Sequence, residues 1–320
     1  MGSGEPAIYR REPAALWGEP GRRNSAMRGF KDLLVVVDDS KTCTTRLEVA
    51  VHVASRFGTH LTGLYVNQPL MIPAYVWAEL SASQPGGLPP TIAGQPTGEM
   101  FKMDSLAQRE AASRAQELFR SRAEVPGITT EWREREGSLL EVAVLHARYA
   151  DMTIVGQADP DAGDGFIGEL PGHLLLGVGR PILVVPYTGT FKTVGERVLV
   201  AWNASRTATR AVNDALPILQ QASQVTVLTI NPEGGVSGEG DVPGVDLALH
   251  LSRHGVKAEA SWLKADDIGV AAMLLSRASD FQADLIVMGG YGHSRVREIV
   301  LGGATREILE AMTVPILMSH

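Results

Sequence analysis

The residues best suited to chemistry lie between Met288 and Thr305, where an apolar run ends in Gly289, Gly290 and Gly292 and a second glycine pair, Gly302 and Gly303, precedes a helical pattern. A glycine turn at the carboxyl end of a strand lets a backbone approach a phosphate closely. Its N–H groups then point at the anion, and the next helix N-terminus adds partial positive charge. Two such turns would grip one ligand from two sides. The same glycines equally make a tight strand-to-helix turn and a helix cap with no ligand. His293 and Ser294 lie inside the loop, but one imidazole without a placed carboxylate defines no acid or base. Arg295, Arg297 and Arg306 flank the loop, as phosphate-facing charge or as solvated helix faces.

Elements of a definite kind must hold this loop. Asp284-Leu285-Ile286-Val287-Met288 is short, apolar and β-branched, which predicts a strand buried on both faces of a parallel sheet. Leu33 to Val37 reads the same way, closed by Asp38-Asp39-Ser40 and followed by a helical pattern with Leu47, Ala50, Val51 and Ala54 on one face. His60 to Val66 follows as a second strand, giving a β-α-β unit with a right-handed crossover. This grammar returns later. Val198 to Ser205 echoes the first strand and turn, Val225 to Pro232 the second strand, Gln282 to Gly289 answers Tyr149 to Gly156, and Thr313 to Met318 answers Gly179 to Pro186. Four echoes in one order are a duplication. Their offset falls from 165 residues between Leu33 and Val198 to 133 between Met152 and Leu285, so the first copy carries extra chain. The surplus is a long Pro/Gly/Ser-rich loop from about Gln68 to Met100. The predicted fold class is α/β, two doubly wound parallel-sheet domains of five strands each. Residues 1–26 read as a leader or disordered tail, 27–190 as the first domain and 195–320 as the second.

The spacing Gly289, two residues, Gly292, nine residues, Gly302 resembles the universal stress protein family, whose nucleotide binders carry Gly-x2-Gly-x9-Gly followed by Ser or Thr. The resemblance runs from Lys31 to His320, strongly in the second copy and weakly in the first. It implies strand order 3-2-1-4-5 in each domain and pairing of the two domains through their last strands, so that a tandem chain forms a pseudo-dimer internally, with a homodimer beyond that left open. It also implies a stress-response adenine-nucleotide site, for ATP (with Mg) or AMP, made of Ala201, Asn203, Ile230, Met288, Gly289, Tyr291, Gly292, Gly302, Gly303, Ala304 and Thr305. Asn203 stands where the family has an adenine-facing Asp, and its carbonyl oxygen can accept the same hydrogen bond without the charge. It equally reads as an Asx turn or cap before Ser205. Ile230 matches the position packed on the base. Gly303 departs from the family's hydroxyl residue, a loss that Thr305 would partly replace.

The first copy keeps Asp38 at the Asp position but not the loop. After Gly156 it runs Gln157-Ala158-Asp159-Pro160-Asp161-Ala162-Gly163-Asp164, without a second glycine at the right spacing and with carboxylates that repel a triphosphate. Glu169 to His173 breaks the second half of the motif. This copy reads as degenerate, its acids as a solvated loop rather than a cation site.

Composition narrows the classes. At 320 residues, 44% hydrophobic and 20% charged, the chain has a globular composition. A net charge of −7 and no basic patch argue against nucleic acid, and no apolar run is long enough to suggest a membrane span. One cysteine, Cys43, near the start of the first helix, allows no intrachain disulfide and points to a reducing cytoplasm. There is no P-loop, no Gly-x-Gly-x-x-Gly after the first strand of either copy, and no His-Glu-x-x-His. A slow ATP hydrolase or nucleotidyl-transfer enzyme using the same loop, or a scaffold binding a partner or apolar ligand under the long loop, remain the alternatives to a nucleotide binder.

Overall fold

A computed structural model describes residues 29–68, 98–160, 169–232, 243–264, 269–291 and 303–320, with side chains from 106 onward in the second of these segments. The first copy runs β1 (Asp32–Val37), α1 (Cys43–Phe57), β2 (His60–Asn67), α2 (Gly98–Ala123), β3 (Thr129–Glu136), α3 (Leu139–Ala147), β4 (Met152–Gly156), α4 (Leu170–Gly177) and β5 (Ile182–Val185). The second runs β6 (Arg197–Trp202), α5 (Arg206–Gln221), β7 (Gln224–Ile230), α6 (Val245–Arg253), β8 (Ala258–Leu263), α7 (Val270–Asp280), β9 (Leu285–Gly289), α8 (Gly303–Ala311) and β10 (Ile316–Ser319).

All ten strands join one sheet in the order β3-β2-β1-β4-β5-β10-β9-β6-β7-β8. Each half is parallel and follows 3-2-1-4-5, as the resemblance implied. The only antiparallel pair among these strands is the seam, where Leu183 faces Leu317 and Ile182 and Val184 face Met318 and Ile316. The last strands therefore meet as expected. Register explains the burial: Leu33, Val35 and Val37 join the core on one face of the sheet, and Leu34 and Val36 the core on the other. Each of these cores draws residues from both copies, so the seam is continuous interior.

Half-buried carboxylates repeat at both entrances. Asp151, before β4, accepts the Lys31 and Asp32 amides at 2.7 and 3.1 Å. Asp284, before β9, accepts the Gly195, Glu196 and Arg197 amides at 3.0, 3.1 and 3.0 Å. Arg56 of α1 donates to the Val194 and Gly195 carbonyls, tying the connection into the second copy onto the first.

Two sequence expectations need correction. The long loop does not reach Met100, because α2 begins at Gly98; Glu99 to Ala123 are mostly strong helix formers, and the chain takes up helix as soon as the Pro/Gly-rich stretch ends. Pro69 to Thr97 lie outside the described residues. Val51 packs, partly buried, against the same core as Leu47, Ala50 and Ala54, and the fully buried residues of α1 are Cys43, Arg46, Leu47, Val49, Ala50, Val53 and Ala54. Glu169 to His173, read as a break in the motif, opens a helix: Glu169 stands at the N-cap position of α4 without a side-chain cap hydrogen bond, and Pro171 falls in the first turn, where a missing N–H costs nothing.

Candidate functional site

The site is built where strand order reverses, between β6 and β9. There the chain leaves one strand upward and the other downward, and a crevice opens at their carboxyl ends. A cleft of about 150 Å³ occupies this position. Ala201, Trp202 and Asn203 line it from the end of β6, Leu228 and Ile230 from β7, Met288 and Gly289 from β9, and Tyr291 from the turn after it. Val270, Ala271 and Leu274 of α7 and Ala304, Thr305 and Ile308 of α8 close the remaining sides. The wall is mostly apolar, with hydrogen-bonding groups concentrated at Asn203 and Thr305, the composition expected of a small-molecule site.

The turn after β6 is folded by its own side chains. Asn203 Oδ1 accepts the Ser205 amide at 3.2 Å, the Asx turn read as one alternative from sequence, and Ser205 Oγ accepts the Ala208 amide at 3.2 Å to cap α5. Asn203 itself is exposed and lines the cleft while its Oδ1 holds the turn. Gly289 has a local reason to be glycine: an added Cβ would lie 2.4 Å from the Ala208 amide nitrogen and 2.5 Å from the Thr207 carbonyl carbon. The first turn of α5 crosses directly over it. Gly303 is different, since a Cβ there meets nothing within 4 Å. Thr305, buried at the start of α8, accepts the Tyr291 amide at 3.3 Å and so ties the two glycine turns together.

Strain gathers at this edge. Of the four non-glycine residues with positive φ among those described, Ala204 (54°), Asn231 (53°) and Tyr291 (55°) follow the ends of β6, β7 and β9. Such conformations cost on the order of 1 kcal/mol each and tend to persist at ligand sites. Burial pushes the Tyr291 phenol above its ordinary pKa, and its hydroxyl is shut from solvent with no hydrogen-bond partner among the described residues.

Most of the site residues expected from sequence thus converge on one cleft. Gly303 lies beside it, at the start of α8, rather than in its wall. Gly292, Gly302, His293, Ser294, Arg295 and Arg297 lie outside the described residues. Arg306 is exposed and paired with Glu310 at 2.7 Å, the solvated-face alternative. The sequence reading missed Trp202, Leu228, Ile308 and the whole α7 wall. Val270, Ala271 and Leu274 carry helical spacing that marks an inward face, though nothing in it separates a ligand wall from ordinary core.

The corresponding edge of the first copy is filled from within. Arg46, on the buried face of α1, reaches Asp38 with Nη2 2.6 Å from Oδ2. Its Nη1 lies 2.5 Å from where a Cβ on Gly156 would be. Burial alone would raise the Asp38 pKa, but Arg46 and the hydrogen bonds from Ser40 outweigh it and hold the carboxyl below its ordinary range. Burial likewise opposes the Arg46 charge, which Asp38, with Cys43 beside it, holds above its ordinary value. Cys43 is buried and free. A charge on an otherwise apolar helix face was the signal that would have found Arg46. Among the described residues, no group of three or more His, Cys, Asp or Glu side chains is arranged to hold a metal ion, and no helix is long and apolar enough to cross a membrane.

Comparison with known proteins agrees with this architecture. Residues 195–320 match the model of the universal stress protein family. A universal stress protein of Synechocystis is 24% identical over 297 residues, covering 90% of this chain and 99% of its own. Among solved structures, a universal stress protein from Archaeoglobus fulgidus superposes with a TM-score of 0.67 at 14% identity, over 90% of this chain and 95% of its own. A protein of unknown function from Pseudomonas aeruginosa superposes with a TM-score of 0.55, also at 14% identity, over 92% of this chain and 94% of its own. Residues 195–320 thus match the universal stress protein family model, and the chain as a whole, two five-stranded halves of one topology joined edge to edge, is similar in fold to a universal stress protein over both halves.

Proposed function

We propose that the second domain, residues 195–320, binds an adenine nucleotide, ATP (with Mg) or AMP, and that the chain acts as a cytoplasmic nucleotide binder or sensor in a stress response. The first domain, residues 27–190, is then mainly structural. The observation that carries this reading is the convergence of Ala201, Asn203, Ile230, Met288, Gly289, Tyr291, Ala304 and Thr305 on one cleft at the carboxyl edge of the sheet. The apolar faces of Ile230 and Met288 suit a purine ring, and the Asn203 carboxamide suits its amino edge. The start of α8 presents amide N–H groups and the positive end of its dipole toward the same space, which suits a phosphate.

The first copy is the internal contrast. Asp38, which aligns with Asn203, is committed to Arg46, and the guanidinium stands over Gly156, the counterpart of Gly289. Binding is therefore expected with a stoichiometry of one nucleotide per chain. Calorimetric titration of the full chain with ATP and with AMP, with and without Mg, tests this. So does analysis of any nucleotide released when the purified protein is denatured. Absence of binding by both nucleotides and of any released nucleotide would defeat the reading, and two equivalent sites per chain would defeat the assignment to the second domain.

A further inference from the structure

The end of β4 in the first copy and the end of β9 in the second occupy the same place in the fold, yet they treat the opposite copy differently. In the first, the residue after Gly156 is Gln157, 5% exposed. Its Nε2 donates to the carbonyls of Leu309 and Glu310 at 2.9 and 3.0 Å, and its Oε1 accepts the Tyr187 amide at 3.2 Å. Leu309 and Glu310 belong to the last turn of α8, whose carbonyls have no partner within the helix. In the second copy the residue after Gly289 is Gly290, and the mirrored space is taken by Leu175 of α4, whose Cδ2 would lie 2.3 Å from an added Cβ. One copy thus lends a capping side chain across the seam, and the other makes room instead.

The helix that receives this cap also forms the cleft. Ala304, Thr305 and Ile308 line it, and the first turn meets the Tyr291 amide through Thr305. The helix is only nine residues long, so a shift at its carboxyl end reaches its amino end with little damping. Of the remaining polar groups near this end, Glu310 is engaged by Arg306 on the exposed face. From this geometry we infer that Gln157 is a positioning residue for the ligand site of the other copy: the first domain, degenerate as a binder, holds α8 in the register the second domain's cleft requires. This rests on the nucleotide reading above and assigns the first domain a role within it.

The test uses the full chain and three variants. Gln157→Ala removes the cap. Gln157→Glu keeps its size but places a carboxylate against two carbonyls at the negative end of the helix, except where acid protonates it. Arg56→Ala loosens the same pair of copies at the Val194 and Gly195 carbonyls, away from α8. Affinity for ATP and AMP is measured by calorimetry, and amide hydrogen exchange is followed in residues 303–311. Gln157→Ala is expected to weaken binding about threefold to tenfold, the loss of one to two ordinary hydrogen bonds, and to speed exchange in α8. Gln157→Glu should bind more weakly still at pH 8 and recover toward the Gln157→Ala value or better near pH 5, and urea denaturation at both pH values separates this from a loss of fold stability, since affinity should change at protein concentrations and temperatures where every variant is fully folded. Arg56→Ala should leave both readouts near the parent. Parental affinity in Gln157→Ala, or an equal loss in Arg56→Ala, overturns the inference while leaving the nucleotide reading intact. Failure of the parent itself to bind either nucleotide overturns both.

Discussion

The carboxyl edges of the two copies began as one design and now do opposite things with the same positions. In the second, Asn203 closes its turn and stays exposed beside an open cleft, α5 carries Ala211 on its buried face, and three non-glycine residues hold positive φ around the opening. In the first, Asp38 makes the same turn through the Ser40 amide at 3.0 Å, but α1 carries Arg46 in the place of Ala211, and the guanidinium satisfies the carboxylate and occupies the space over Gly156. None of the described non-glycine residues in the first copy has positive φ. Where the second copy leaves a cleft, the first fills the same space with one long side chain, and the positive-φ strain seen around the cleft is absent from its described residues.

The sharpest way to break this comparison is to remove the filler. Arg46→Leu leaves Asp38 largely buried and unpaired, and should lower the stability of the chain by about 3 kcal/mol in urea denaturation, the low end for a broken buried pair because Asp38 keeps some solvent contact. Replacing both partners with apolar residues should recover most of that loss. A double variant as unstable as the single one would show that the pair is not the origin. Because the folded-state pKa of Asp38 is depressed, the pair's contribution is fully present above the ordinary carboxylate range and is lost as pH falls through the folded value. Asp38→Asn should flatten that part of the acid limb of the stability profile, and an unchanged limb would count against the assignment.

Next in size is Gly289→Ala, expected to cost about 2 kcal/mol by overpacking, because the clash is with the backbone of α5 and not with a movable side chain. If melting shows no loss, the first turn of α5 gives way more easily than its capped geometry suggests. A smaller effect, of opposite sign and on binding, is expected for Gly303→Ser. The site has room for the side chain, and a hydroxyl donated to a charged phosphate adds about 1.5 kcal/mol, roughly tenfold in ATP affinity, with fold stability unchanged. AMP titrated in parallel locates the gain: if neither nucleotide binds more tightly, the phosphate is not held at this turn. The smallest expected change is in Asn203→Ala, which removes one exposed turn hydrogen bond worth about 0.5 kcal/mol of stability. Its loss of adenine affinity should exceed that, since the same carboxamide serves both purposes; an affinity equal to the parent's would leave Asn203 with the turn alone.

The strands that repeat, β1 and β6, β2 and β7, β4 and β9, β5 and β10, are written in the sequence because each is buried on both faces and must be a continuous β-branched or aliphatic run. The edge strands were not legible. β3 is Thr-Thr-Glu-Trp-Arg-Glu-Arg-Glu, mostly exposed, with charges that discourage pairing by another chain, and only its place beside β2 makes it a strand. Gly289 and Asn203 could be found because close approach and turn formation restrict residue type locally. What the tertiary structure alone decided is which surfaces meet: that the two copies share cores across Leu183 and Leu317, that Arg46 turns into the first copy's vacant edge, and that Gln157 caps a helix 152 residues away. Those contacts join residues remote in sequence whose types are unexceptional where they stand. Sequence period fixes which face a side chain takes within its own element; only the packing of one copy against the other fixes what that face touches.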